Sequence, residues 1–257
     1  MTAEETKDLF AARRIGVLIP TYNNGKTVAQ VVASVEPYCG EVIVVNDGST
    51  DETLSLLETL PENIHVVSYA QNRGKGYALK RGFEKAMELG LSAVVTLDSD
   101  GQHFASDLPL FAEACQTNQE SLIVGSRSFL NPNMPQKSSF ANKFSNFWFT
   151  VQTGIRLPDT QTGYRLYPLQ RMKGMKPLCH RYEAELELLV RSAWRAIPLK
   201  SISINVFYPS KEERVTHFRP TVDFIRISLL NTLLCLLAIV YGYPSMALRK
   251  LFRTCSK

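Results

Sequence analysis

The chain has 257 residues, enough for one large globular domain or for one domain with an appendage. Apolar residues make up 45% and charged residues 21%, a balance that excludes a wholly disordered chain. The net charge of +5 is confined to the tail: from Ile204 onward eight Lys/Arg face three Asp/Glu, and the preceding 203 residues balance at zero. A basic tail beside an apolar run points to an anionic lipid surface; nucleic acid is not expected, since no binding motif accompanies the charge. The five cysteines are scattered without a Cys-x-x-Cys pair, and Met1–Arg14 is polar, which predicts a reducing, cytosolic chain without structural zinc.

Short β-branched runs alternate with amphipathic stretches through the first half. Strands are predicted at Ile15–Ile19, Glu41–Val45, Ile64–Ser68, Ala93–Leu97 and Leu122–Gly125. Apolar residues at helical spacing predict helices at Lys26–Val35, Thr50–Leu60, Tyr77–Leu89 and Asp107–Thr117. This alternation implies an α/β domain whose mostly parallel sheet lies between helices. Ligands of such sheets sit beyond the carboxyl ends of strands, where Pro20–Asn23, Asn46–Asp47, Asp98–His103 and Ser126–Arg127 fall.

After Arg127 come a turn-rich loop at Asn131–Gln136, an aromatic-rich helix at Lys143–Thr153 and the segment Asp159–Tyr167. A helix at Tyr182–Trp194 and a strand at Ile202–Tyr208 follow. Ile227–Tyr241 carries no charge, but its fifteen residues fall short of the roughly 20 that span a bilayer core. Gly242-Tyr243-Pro244 predicts a break, followed by an amphipathic helix bearing Arg249, Lys250 and Arg253. An interfacial or re-entrant helix pair fits this pattern; a core helix packed on the sheet is the alternative. The expected organisation is an α/β domain over residues 1–218 and membrane-associating helices over 219–257.

The chemistry begins at Asp98-Ser99-Asp100. Two carboxylates two residues apart at a strand end can converge on one hard cation, magnesium or manganese, with Gln102 or a phosphate oxygen completing its shell. Taken alone, the same turn fits a helix cap. Asp47 could accept from a nucleobase N–H, or its segment could simply start a helix. Pro20-Thr21-Tyr22-Asn23 could wall a nucleoside pocket or form a plain turn. The Asn72–Gly76 loop could set Lys75 beside a phosphate, although it lacks P-loop spacing.

In order and spacing these segments resemble the family 2 glycosyltransferases of GT-A fold. Pro20-Thr21-Tyr22-Asn23-Asn24, Asn46–Asp51 and Asp98-Ser99-Asp100-Gly101-Gln102-His103 match three of the family's motifs. Val124–Arg127 and Asp159–Arg165 look like the polyprenol-phosphate branch, typified by dolichyl-phosphate mannosyltransferase. The resemblance implies that Pro20, Thr21, Tyr22, Asp47, Lys75 and Asp98 meet the donor. Asp98, Asp100 and Gln102 would hold the metal, and Arg127, Lys143 and Arg165 would face the acceptor. Arg214 falls where the family often has a cation closing over the diphosphate, so Asp100, Arg127 and Arg214 form the expected catalytic group. Asn24 stands in place of the usual acidic residue, and Lys143–Phe147 lacks the arginine-rich acceptor signature.

The implied function is metal-dependent, inverting transfer of a hexose from UDP- or GDP-hexose to a polyprenyl-phosphate-like lipid. The implied place is the cytoplasmic face of the plasma membrane, in cell envelope biogenesis. Transfer to a hydroxyl of a glycan or small molecule, with Glu183 as base, is the alternative, and a noncatalytic nucleotide-sugar-binding adaptor is a third reading.

Overall fold

The computed structural model describes residues 1–118, 120–127, 136–207 and 220–255, and their side chains except at 136–140, 220–224 and 252–255. The chain opens with α1 (Ala3–Arg13), a helix that apolar periodicity did not mark. A capping box starts it: Glu5 N donates to the Thr2 hydroxyl at 3.1 Å, and Thr2 N donates to the Glu5 carboxylate at 2.8 Å.

Alternation then follows as predicted, with element ends displaced by no more than three residues. The order is β1 (Ile15–Thr21), α2 (Val28–Val35), β2 (Val42–Asn46), α3 (Thr53–Leu57), β3 (Ile64–Ser68) and α4 (Lys75–Glu88). β4 (Ala93–Thr96), α5 (Leu108–Thr117) and β5 (Leu122–Arg127) complete the first half. Beyond it lie α6 (Gln136–Thr153), β6 (Arg165–Tyr167), α7 (Glu183–Trp194) and β7 (Leu199–Ile204). α6 starts seven residues before its predicted start at Lys143, and the predicted loop at 131–135 lies outside the described residues. β7 starts at Leu199, earlier than expected, and Tyr208 lies outside the described residues.

The seven strands form one sheet in the order β3-β2-β1-β4-β6-β5-β7. All neighbours are parallel except β6, which runs antiparallel to both β4 and β5. Successive side chains of a strand point to opposite faces, so the sheet feeds two cores. Leu18, Ile43, Val45, Val94 and Val124 face the layer that includes α4, α6 and α7. Val17, Ile19, Val42, Val44 and Val95 face the layer of α1, α2 and α5.

Two topological features position the functional residues. The chain winds outward from β1 to β3 and then returns to place β4 on the other side of β1, so a crevice opens at the carboxyl ends of β1 and β4. Because β6 is antiparallel, the segment leading into it, residues 159–164, also lies at the carboxyl ends of β4 and β5. The Thr96 hydroxyl fixes that segment by donating to Gly163 O at 2.6 Å.

The predicted break at Gly242–Pro244 is absent. α8 (Pro220–Leu237), a π-helical turn at Ala238–Gly242 and α9 (Tyr243–Cys255) follow one another without interruption. Pro244 has no N–H to offer the preceding turn, and the widened π turn absorbs the mismatch. Inner residues Leu230, Leu234 and Ala238 are buried in the core beside α6 and α7. Gln152 Nε2 donates to Asn231 Oδ1 at 2.8 Å, and Trp194 Nε1 donates to Gln152 O at 2.9 Å. The helix is thus docked on one side and exposes Leu229, Leu233, Leu236, Ile239 and Val240 on the other.

Candidate active site

The loops after β1 and β2 are laced together by their own polar residues. Asn23 N donates to Ser49 Oγ at 2.9 Å, Thr50 N to Asn23 Oδ1 at 2.8 Å, and Asn24 N to Thr53 Oγ1 at 3.1 Å. Asp51 accepts from Gly25 N at 3.2 Å and Thr53 N at 3.0 Å. Burial pushes its carboxyl up, but the Thr53 and Gly25 donors outweigh it and leave the pKa lowered. Much of the Asn46–Asp51 motif therefore shapes the crevice wall. Pro20 and Thr21 are buried within β1, Thr21 Oγ1 has no partner among the described residues, and Tyr22 is partly buried at the strand end.

Asp47 is buried at the end of β2, where its carboxylate accepts from Arg73 N at 2.7 Å, Gly74 N at 2.8 Å and Asn72 Nδ2 at 2.9 Å. Burial raises its pKa despite these donors. The bonds tie the loop before α4 to the sheet, and that loop delivers Lys75. Gly74 adopts φ +96°, and a Cβ there would lie 2.4 Å from His180 O; at Gly76 it would lie 2.4 Å from Ala184 Cβ. These glycines allow close approach to the start of α7 and the residues just before it.

At the end of β4 the acidic turn is anchored through Ser99, which is buried. Asn24 Nδ2 donates to Ser99 Oγ at 2.8 Å and Thr27 Oγ1 donates to Ser99 O at 2.6 Å. Flanking Asp98 and Asp100 are partly exposed, and Asp100 Oδ1 accepts from Gln102 N at 3.0 Å. Lys75 Nζ lies 2.6 Å from Asp98 Oδ1 and 3.1 Å from Glu185 Oε2. Burial disfavours the Lys75 ammonium, yet the two carboxylates prevail and hold its pKa above the ordinary 10.5. Burial also opposes ionisation of Asp98, and Lys75 overcomes it; at Glu185 burial wins and the pKa is raised. His103 Nε2 stands 3.8 Å from Asp98 Oδ2, and burial pushes the imidazole pKa down to about 4, so the ring is neutral near pH 7.

The two carboxylates and the Gln102 amide oxygen are hard oxygen donors of the kind that magnesium and manganese prefer. Among the described residues no group of three or more His, Cys, Asp or Glu side chains gathers as a metal cage. A cation here would therefore complete its shell with water and substrate phosphate, the usual habit of magnesium. His103 Nδ1, buried and without a partner among the described residues, is a further donor atom beside this turn.

At the end of β5, Arg127 forms a fork on Asp159, with Nε to Oδ2 at 2.7 Å and Nη2 to Oδ1 at 3.1 Å. Asn142 of α6 adds a bond to Asp159 Oδ1 at 2.6 Å. Burial pushes the Asp159 carboxyl up, but Arg127 more than offsets it and the pKa is lowered.

The model of the family described as Glycosyl transferase family 2 matches residues 16–170, more than half of the chain. This chain is a family 2 glycosyltransferase. It is 28% identical over 221 residues to UDP-N-acetylglucosamine–dolichyl-phosphate N-acetylglucosaminyltransferase of Methanococcus voltae, covering 77% of this chain and 88% of the relative. It is 30% identical over 173 residues to polyprenol monophosphomannose synthase of Mycolicibacterium smegmatis, covering 64% of this chain and 65% of the relative. Among solved structures, glucosyl-3-phosphoglycerate synthase of Mycobacterium tuberculosis in complex with Mn2+, UDP and glucosyl-3-phosphoglycerate superposes with a TM-score of 0.68. That match is 20% identical, covers 93% of this chain and 84% of the other, and shows the shared GT-A fold.

The transferase fold brings Tyr22, Asp47, Lys75, Asp98, Asp100, Gln102 and Arg127 to the carboxyl side of one sheet. Arg165 departs from the expectation. It is fully buried, and donates to Thr162 O at 2.7 Å, Glu185 O at 2.7 Å and Thr160 O at 2.8 Å. Its guanidinium braces the 160–162 segment and α7 from inside, so it is removed from the acceptor group. Lys143 is exposed on α6, next to Asn142, and Arg214 lies outside the described residues. Beside these residues the fold also sets Glu185 against Lys75 and Asp159 against Arg127, and the sequence singled out neither acid individually, although Asp159 heads the Asp159–Arg165 motif. A pair of acids in the first turn of a helix, Glu183 and Glu185, was the available signal, but it looks the same when it merely favours the helix dipole.

Proposed function

We propose that this transferase moves a hexose from UDP- or GDP-hexose to a polyprenyl-phosphate-like lipid at the cytoplasmic face of the plasma membrane, with inversion and with Mg2+ or Mn2+. The observation that carries this reading is the placement of an acidic turn and an arginine held by a buried carboxylate on one side of the sheet. The Asp98–Gln102 turn ends β4, the Arg127–Asp159 pair ends β5, and the antiparallel β6 separates the two strands. Relatives named for dolichyl phosphate and polyprenol monophosphomannose support the lipid acceptor, and the neighbour with Mn2+ and UDP supports the cation.

In this reading Tyr22 and Asp47 border the nucleoside, and Asp98, Asp100 and Gln102 hold the cation. When bound, the cation supplies neutralisation of charge developing on the departing diphosphate. Lys75 adds a fixed positive charge that needs no reorientation during reaction. Arg127, oriented by Asp159, receives an acceptor phosphate, with Lys143 alongside. A phosphate acceptor is already anionic, so no residue has to remove a proton from it.

The C-terminal region, residues 219–257, supplies the membrane contact. Ile225–Leu251 is 27 residues long, and its most apolar 18-residue stretch has a mean hydropathy of 1.9 and is only 22% buried. Between α6 and α8 lies a groove of about 300 Å³ lined by Phe144, Trp148, Asn231, Cys235, Leu236 and Ile239. Basic residues Arg226, Arg249 and Lys250 on the same helix favour anionic headgroups.

A second reading has one specific support. Glu183, in the first turn of α7, is 9% exposed and its Oε2 has no partner among the described residues. It could take the proton of a hydroxyl acceptor of a glycan or small molecule. Labelled UDP- and GDP-hexoses supplied with vesicles containing polyprenyl phosphate, with Mn2+ or a chelator, separate the two. Organic-extractable label that requires cation and is lost in Asp100→Ala is expected; label appearing only on water-soluble hydroxyl acceptors would overturn the lipid reading.

A further inference from the structure

Lys75 enters the acidic turn from the first turn of α4 and is held by carboxylates from two other elements. Its Nζ is 2.6 Å from Asp98 Oδ1 and 3.1 Å from Glu185 Oε2. Glu185 is 7% exposed, and its Oε1 has no hydrogen-bond partner among the described residues. The space around the three groups is closed. A Cβ added at Gly163 would lie 2.6 Å from Asp98 Oδ2 and 2.7 Å from Lys75 Nζ, and Gly76 abuts Ala184. The ammonium therefore has little freedom to swing to solvent.

A divalent cation that approaches Asp98 competes with this ammonium for the same carboxylate. A buried lysine with one partner would be stranded by that competition, because a buried charge stripped of its partner is strongly disfavoured. Glu185 changes the outcome: the ammonium already has a second carboxylate within bonding reach.

We propose that Glu185 is a positioning residue that retains the Lys75 ammonium when Asp98 turns to a divalent cation. It thereby sets the affinity of the acidic turn for that cation. Glu185 acts through Lys75 and not on the cation itself. The inference rests on the assignment of Asp98, Asp100 and Gln102 to the metal.

The test is a Mn2+ titration of the full chain, with UDP or GDP present, followed by the magnetic resonance signal of free aqueous Mn2+. Glu185→Gln is expected to weaken Mn2+ binding about tenfold when Lys75 is present and under about twofold in a Lys75→Met background, as coupled neighbours require. Glu185→Asp retains the charge but shortens its reach, and is expected to weaken binding by about fivefold. Equal weakening by Glu185→Gln in both backgrounds would mean that Glu185 is merely a distant charge, and would overturn the proposal. Wild-type affinity in Glu185→Asp would overturn it as well. Thermal melts identify any variant that fails to fold, and Glu185→Asp then decides. Absence of Mn2+ binding by the wild-type chain would overturn the metal assignment and this inference together; tight wild-type binding with an additive cycle would overturn this inference alone.

Discussion

Arg127 and Asp159 meet as a planar fork, Nε to Oδ2 at 2.7 Å and Nη2 to Oδ1 at 3.1 Å, with the carboxylate fully buried and the arginine side chain 16% exposed. The fork fixes the orientation of the guanidinium, and under the proposed lipid-phosphate reading this presents a ready cation to the acceptor. Asp159→Asn keeps the shape but removes the charge and one acceptor. The expected result is a loss of about 2–4 kcal/mol in denaturant unfolding, because a charge is left beside a buried amide. In steady-state assays the acceptor KM should rise more than the donor KM.

The same carboxylate fixes a pH dependence. Its folded pKa lies below the ordinary 3.8, so its contribution to stability is complete above that value and is lost as pH falls through the lowered folded value. Unfolding midpoints measured from about pH 6 down to about pH 2 should therefore fall less steeply for Asp159→Asn than for wild type. Parallel profiles below about pH 4 would show that folding does not lower the pKa of Asp159.

Gly76 sets two effects against each other. Alanine in a helix is favoured over glycine by about 1 kcal/mol. Here a Cβ would lie 2.4 Å from Ala184 Cβ and 2.5 Å from Cys179 O, neither of which is the end of a flexible side chain. Overpacking of this kind typically costs about 1–3 kcal/mol, so Gly76→Ala should destabilise on balance in a urea melt. It should also lower transfer activity by displacing Lys75.

The C-terminal helix divides into two faces that mutations can separate. Leu233 and Val240 are 52% and 78% exposed, whereas Leu234 is 2% exposed. Leu233→Glu with Val240→Glu should abolish co-sedimentation with anionic vesicles and leave the melting temperature within a few degrees of wild type. Leu234→Ala should do the reverse, costing about 2–4 kcal/mol of stability while vesicle binding persists. Vesicle binding unchanged by the double charge substitution would remove the membrane role from this face.

The Val- and Ile-rich runs determined where β1 to β5 lie, since a strand buried on both faces must be apolar along its length. The polar residues ending those runs marked the carboxyl side of the sheet, and the Asp98–Gln102 turn was legible because its motif is contiguous. β6 was not legible as an antiparallel strand: three residues, Arg165–Tyr167, carry too little periodicity to state a direction. Its insertion between β4 and β5 nevertheless brings Asp159 to Arg127 and Gly163 to Asp98. The break predicted at Pro244 failed because local sequence could not show that a π turn, wedged against Trp194, would carry the helix through. Arg165 looked like a site residue by its motif and became an internal brace, because five donors on one planar group can satisfy carbonyls that no water reaches. Lys75 and Glu185 came from two stretches that the sequence treated as unrelated. Periodicity records which face of an element is buried, but only the folded sheet decides which loops meet, and at Asp98 that meeting places the Lys75 ammonium against the carboxylate.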